Sequence, residues 1–165
     1  AYGLKGLSAG ACLEEANAAL IQDNVSDLFV TVFYAILDLN TGELEYCCGG
    51  HNPPLLMGRD GSLTILNESQ HIPLGIGEPH HFIPKKEDFE PGATLLLYTD
   101  GITEARNRDQ QFFSEEGLLA FLKQHHTAPP RELVKGLIRE VRTFSSGLPQ
   151  SDDITLLAIR RQISA

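Results

Sequence analysis

The spacing of hydrophobic positions changes period along the chain, and the changes mark its elements. Between Ala9 and Ile21, Leu13, Ala16, Leu20 and Ile21 recur on one face of a helical repeat. This predicts a helix lying on a core, with Ser8 as its cap. From Leu28 to Leu37 the run LFVTVFYAIL is dense in β-branched and aromatic residues, and Asn40-Thr41-Gly42 turns it into Glu43 to Cys48. That is a predicted hairpin. A Gly-Gly-His-Asn-Pro-Pro loop leads into Leu55-Leu56-Met57, and Asp60-Gly61 returns the chain into Leu63 to Leu66. An extended segment near His81 to Phe89 and a Pro91-Gly92 turn precede Ala93 to Tyr98, an apolar run expected to be a buried strand. The helical period returns in Ser114 to His125, with Ser114 as cap and Glu115 and Glu116 in the first turn. It returns again in Pro130 to Phe144, where Leu133, Val134, Leu137, Val141 and Phe144 form a stripe. Ile154 to Ile163 closes the chain as a strand. One helix, about five antiparallel strands, two helices and a last strand predict an α+β layer arrangement rather than alternating β-α-β units.

Composition narrows the function. The chain has 165 residues, one domain's worth, with 42% apolar and 21% charged residues and a net charge of −9. That charge argues against a broad electrostatic grip on nucleic acid or anionic lipid. No apolar run approaches the roughly 20 residues that span a bilayer. The start AYGLKGLSAG lacks the basic end and continuous apolar core of a leader. A cytoplasmic protein is expected. Cys12, Cys47 and Cys48 are odd in number, and adjacent strand residues face opposite sides. They are expected to be small buried hydrophobes rather than a disulfide or a metal site.

Three places could carry chemistry. In Leu95-Leu96-Leu97-Tyr98-Thr99-Asp100-Gly101 an apolar strand ends in a carboxylate followed by glycine. Asp100 then stands where a rigid backbone would hold a ligand, and Gly101 permits a sharp exit. Asp-Gly is also an ordinary turn dipeptide, as Asp60-Gly61 illustrates. Ser151-Asp152-Asp153-Ile154 sets two carboxylates before the last strand, either as a solvated turn or as cation ligands. Strand ends of one sheet can bring such aspartates together around a hard cation such as Mg²⁺ or Mn²⁺. His51-Asn52, in the Gly/Pro loop, is a ligand or proton carrier on one reading and a loop stabiliser on the other. The doublets His80-His81 and His125-His126 are expected at the surface.

Taken in order, FVTVFYAILDLNTGELEY, GGHNPPLL, IPLGIG, LLLYTDGITEARN and SDDITLL resemble blocks of a known family. It is the stage II sporulation protein E (RsbU-like) branch of the PP2C (PPM) serine/threonine phosphatases, and the likeness runs from about Ser8 to Arg160. The resemblance implies two packed antiparallel β-sheets flanked by helices. It implies two Mn²⁺ or Mg²⁺ ions around a bridging water that attacks phosphoserine or phosphothreonine. Residue by residue, Asp100 matches the metal aspartate of the family's D-G block, followed by Gly101. Asp152 matches that of the closing block, with Asp153 after it. His51-Asn52 matches a family signature without an assigned role.

One block is absent. The family's upstream G-D-x-x-G-H/K-G, which supplies a bridging aspartate, does not occur here. The expectation is a single phosphatase domain over residues 1–165 that lacks its N-terminal strands. Exposed sheet edges would then be covered by further residues, another chain or a homodimer. The resemblance further implies a phosphorylated regulatory protein as substrate, such as an anti-sigma factor antagonist, and N-terminal sensor or receiver domains. A non-catalytic phosphatase-like interaction module is the alternative. Two other phosphatase chemistries fail. Six residues after Cys12, Cys47 and Cys48 stand Ala18, Pro53 and Pro54 rather than arginine, and Tyr98 spoils a D-x-D at Asp100.

Overall fold

A computed structural model describes residues 6–23 and 28–163. Residues 1–5, part of the stretch read against a leader, lie outside them. The elements are α1 (Ala9–Asp23), β1 (Val32–Leu37), β2 (Glu43–Gly49), β3 (Leu55–Met57), β4 (Leu63–Ile65), β5 (Gln70–His71), β6 (Lys85–Asp88), β7 (Thr94–Tyr98), α2 (Ser114–Gln124), α3 (Pro130–Phe144) and β8 (Leu156–Arg160). They fall into two compact units, Ala1–Pro53 with Leu66–Phe89 and Pro54–Ile65 with Glu90–Ala165.

The first unit is a sheet ordered β1-β2-β5, with β6 also on β2. β1 and β2 form the expected hairpin, registered from Val32↔Gly49 to Leu37↔Leu44. Asp38 Oδ1 accepts the N–H groups of Asn40 and Thr41 at 2.8 and 3.2 Å, and Gly42 takes φ +85°. The strand starts at Val32, not Leu28. Its partner ends at Gly49, so Leu28, Phe29 and Val30 are left exposed, with Val30 bridging Leu74 alone. β5 pairs with β2 in parallel, a departure from an all-antiparallel sheet.

α1 begins as expected. Ser8 Oγ accepts the Ala11 N–H at 3.2 Å, and Glu45 Oε1, from β2, accepts the Ala9 N–H at 2.6 Å. A carboxylate at a helix N-terminus is favoured by the macrodipole. Burial runs through Ala9, Cys12, Leu13 and Asn17, while Leu20 is 38% exposed. The core of Ala9, Leu13, Cys47, Leu74 and Phe82 underlies only the first half of the helix, so the predicted face fades past Asn17. Helix and Phe82 approach so closely that a Cβ on Gly10 would sit 2.0 Å from the Phe82 carbonyl oxygen.

The second unit is a fully antiparallel sheet, β4-β3-β7-β8. Its core joins Leu55, Met57, Leu96 and Tyr98 to Leu118 and Leu122 of α2 and Leu133, Leu137 and Val141 of α3. The predicted stripe of α3 is therefore the buried one. Pro130 opens that helix, where a missing N–H costs nothing. Ser114 is not a cap. It takes φ +64°, and its hydroxyl donates to Glu116 Oε2 at 2.5 Å instead of accepting a helix N–H. That bond, first among the causes, lowers the Glu116 pKa.

All three cysteines are free and buried, and burial raises the Cys47 and Cys48 thiols. The expectation that His80 is a plain surface residue is not met. Its Nε2 lies 3.0 Å from His71 Nδ1, and both rings pack on Phe82, because the Ile83 N–H donates to His71 Nε2 and closes the loop between them.

Candidate active site

Asp100 stands just past the end of β7, and Asp152 stands before β8. The register of these strands runs from Thr94↔Arg160 to Tyr98↔Leu156. It continues past the strands, since the Thr99 N–H donates to the Thr155 carbonyl at 3.2 Å. The chain around Asp100 and the chain around Asp152 and Asp153 therefore run side by side.

Thr99 fastens them. Its hydroxyl donates to the Asp153 carbonyl at 2.7 Å and accepts the Thr155 N–H at 2.9 Å. The Asp100 carbonyl then accepts the Glu104 N–H at 2.8 Å and the Thr103 hydroxyl at 3.2 Å, which winds residues 100–104 into one tight turn. Ser151 Oγ reaches the Glu104 carbonyl at 3.4 Å, tying that turn to the opposite segment. Thr99 lies within the Leu95–Gly101 motif, where the sequence alone assigns it no role. A threonine just before a strand-end aspartate was the signal, and only the fold distinguishes it from any turn hydroxyl.

Gly101 is required for a different reason from the one expected. The sequence predicts a glycine that permits a sharp exit, yet Gly101 is not among the positive-φ glycines. The need is space. A Cβ at Gly101 would lie 2.6 Å from the Asp153 carbonyl oxygen and 3.0 Å from that of Asp152. Real side chains do not approach a backbone oxygen so closely.

Asp100, Asp152 and Asp153 are all exposed. Asp152 Oδ1 accepts the Asp153 N–H at 2.6 Å, and Gln150 Nε2 donates to the Asp152 carbonyl at 2.6 Å, so this turn is locally braced. Carboxylate oxygens are donors a hard cation prefers, and here three carboxylates stand on exposed residues of a braced backbone. The kind of donor fits Mn²⁺ or Mg²⁺. The number falls short: among the described residues, no three His, Cys, Asp or Glu side chains form a group able to hold an ion.

His51 and Asn52 lie in the first unit and are half-buried. The Cys48 thiol donates to the His51 carbonyl at 3.1 Å, and His51 Nδ1 lies 3.4 Å from Thr31 Oγ1. Gly50, at φ +70°, lies so near Pro73 that a Cβ would come within 2.5 Å of its ring. These contacts are those of a tightly held loop. Elsewhere His81 Nδ1 meets Glu14 Oε1 at 3.1 Å, and His125 stacks on Phe121.

The sequence model of the family described as Stage II sporulation protein E (SpoIIE) matches residues 1–162. Phosphoserine phosphatase RsbU of Bacillus subtilis is 23% identical over 158 residues, which is 96% of this chain and 47% of RsbU. The chain thus spans about half the length of that curated relative. The SiaA-PP2C domain of Pseudomonas aeruginosa aligns with a TM-score of 0.80 at 20% identity, over 93% of this chain and 61% of that one. The phosphatase domain of the cell fate determinant SpoIIE from Bacillus subtilis, presoaked with Mn, aligns at 0.72 and 20% identity, over 98% and 70%. Two antiparallel-rich sheets with helices are the PP2C-like fold, as the sequence pattern and its resemblance implied. No helix among the described residues is long and apolar enough to cross a membrane.

Proposed function

Because the chain belongs to the stage II sporulation protein E family of signalling serine/threonine phosphatases, we propose that its protein is a metal-dependent phosphatase. Its substrate is phosphoserine or phosphothreonine on a regulatory protein, an anti-sigma factor antagonist being the partner the family resemblance implies. One observation carries the reading: Gly101 packs directly on the carbonyls of Asp152 and Asp153, so two remote acidic segments share one spot at a sheet's end.

Within this reading Asp100 and Asp152 hold the cation, and Asp153 stands beside them. A divalent ion held there by Asp100 and Asp152 would lower the pKa of nearby water and offset phosphate charge. Manganese is the natural first choice, since the SpoIIE domain with this fold was studied after a Mn soak. The protein's own contribution is rigidity. Thr99 fixes the spacing of the two segments, Gly101 lets them touch, and the turn over residues 100–104 aims Asp100 outward. The residues of the chain belong on this reading to one phosphatase domain, completed by ligands outside the described residues. Sensor or receiver domains and a homodimer are the remaining parts of the proposal.

A second reading, a non-catalytic phosphatase-like module, draws on the absence of a complete ligand group among the described residues. Mn²⁺-dependent hydrolysis of p-nitrophenyl phosphate by the full-length protein separates the two. We expect turnover that falls by about a hundredfold or more in Asp100→Asn and Asp152→Asn. Wild-type turnover by either variant would remove the catalytic assignment, and no turnover by the parent protein would leave the binding module standing.

A further inference from the structure

The second unit holds a concavity of about 490 Å³ whose lining includes Arg59, Gly92, His126, Arg160, Arg161 and Gln162. It lies at the Thr94–Arg160 end of the β7–β8 pair, whereas Asp100 and Asp152 lie past the Tyr98–Leu156 end. It is thus remote from the candidate active site.

Its chemistry is unlike the rest of the chain. Three arginines and a histidine line it, in a chain whose net charge is −9. Arg160 is held in place by neutral acceptors. Its Nε donates to Thr94 Oγ1 at 2.7 Å, and its Nη2 donates to the carbonyls of His126 and Ala128 at 3.2 and 2.7 Å. Those bonds fix the guanidinium plane without cancelling its charge. The donors on Nη1 have no partner among the described residues. Arg59 likewise makes no hydrogen bond or ion pair among the described residues, and its side chain lies along Gly92, where a Cβ would come 3.3 Å from Arg59 Cδ. Gly92 has φ +89°, a conformation that suits glycine and keeps that approach open. Arg161 is carried to the rim by main-chain bonds to Gly92 and Ala93. The nearby carboxylate, Asp60, already accepts the Ser62 hydroxyl at 2.6 Å and the Ser62 N–H at 3.0 Å.

We propose that this pocket binds a small ligand through a phosphate or carboxylate group, with Arg59 and the Arg160 Nη1 donors as its anchors. A preorganised guanidinium with free donors is suited to an oxyanion. The volume falls within the range of small-molecule sites, about 300–1,000 Å³. Such a ligand would link the β3–β4 turn, the end of β8 and the connection between α2 and α3, and so stiffen the unit that carries Asp100 and Asp152.

The test is calorimetric titration of the full-length protein, stripped of metal and then desalted free of chelator, with inorganic phosphate and, separately, citrate, against chloride at matched ionic strength. Removing metal separates this pocket from the candidate active site, so either proposal can fail alone. Saturable binding of phosphate or of citrate is expected, and the one that binds identifies the ligand class. Arg59→Glu should weaken it by about tenfold or more, the loss of a charge-assisted contact. Arg160→Gln should do the same, but it also cuts bonds to His126 and Ala128, so Arg59→Glu, verified as folded by its melting curve, is decisive. Binding no stronger than that of chloride, or undiminished in Arg59→Glu, would overturn the proposal.

Discussion

At Thr99 one hydroxyl donates a hydrogen bond to the Asp153 carbonyl and accepts one from the Thr155 N–H. Thr99→Val keeps the shape and strands both partners. Because the residue is only half-buried, water relieves part of the loss, and the expected cost is about 1 kcal/mol, with Thr99→Ser close to the parent. Urea unfolding measures it, and equal midpoints for parent and valine variant would deny Thr99 its fastening role. Gly101→Ala acts on the same spot through volume. Its methyl would press on two carbonyl oxygens, so the strand ends must part by a fraction of an ångström. A displacement of that order at a catalytic centre costs about a hundredfold, which kcat/KM on p-nitrophenyl phosphate should register. Unchanged kcat/KM would mean that the aspartates' relative position is immaterial. Local pattern left both aspartates open, since Asp-Gly is an ordinary turn dipeptide and Asp152-Asp153 reads equally as a solvated turn, and only the family resemblance matched them to metal ligands. Thr99 was not legible at all, because a hydroxyl in a turn is commonplace until a second strand is seen to need it.

Among the elements, the reliable signals were those in which local chemistry and packing agree. Ser8 is such a case: its side chain serves the Ala11 N–H as the pattern predicted. Ser8→Ala should cost about 1 kcal/mol of stability in chemical denaturation, and a neutral effect would show that Glu45 alone caps α1. Ser114 had the same local signature and a different outcome, because its backbone is left-handed and its hydroxyl turns to Glu116. Leu20 failed for a tertiary reason: the periodicity persists where the core has ended. β5, two residues long and parallel to β2, has no periodicity to read at all. The Asp38 turn of the first hairpin carries a pH dependence. The Asn40 and Thr41 N–H groups hold the carboxyl below its ordinary range. A depressed folded-state pKa contributes stability that is present above the ordinary carboxylate range and lost as pH falls through the lowered value. Denaturation midpoints of the parent should therefore drop more steeply in acid than those of Asp38→Asn, and parallel profiles would contradict it.

At the scale of the whole molecule, the α+β architecture was legible because two hairpins, an apolar strand and two amphipathic helices follow one another without β-α-β alternation. The family followed from five ordered blocks rather than any single one, and its match over residues 1–162 bears that out. What pattern could not convey was the division into two units, since Pro54–Ile65 leaves the first stretch of chain to join the sheet of the second. That excursion sets β3 beside β7, and β8 pairs with β7 on its other side, so the tips bearing Asp100 and Asp152 meet. The central claim is that those two carboxylates grip the same divalent ion. It is tested most directly by titrating Mn²⁺ into the full-length protein, followed by electron paramagnetic resonance, for the parent, Asp100→Asn, Asp152→Asn and the double variant. Joint ligation predicts that each single change weakens binding by about tenfold or more and that the double change costs less than the sum of the two. Parent-like Mn²⁺ affinity in either single variant would contradict it.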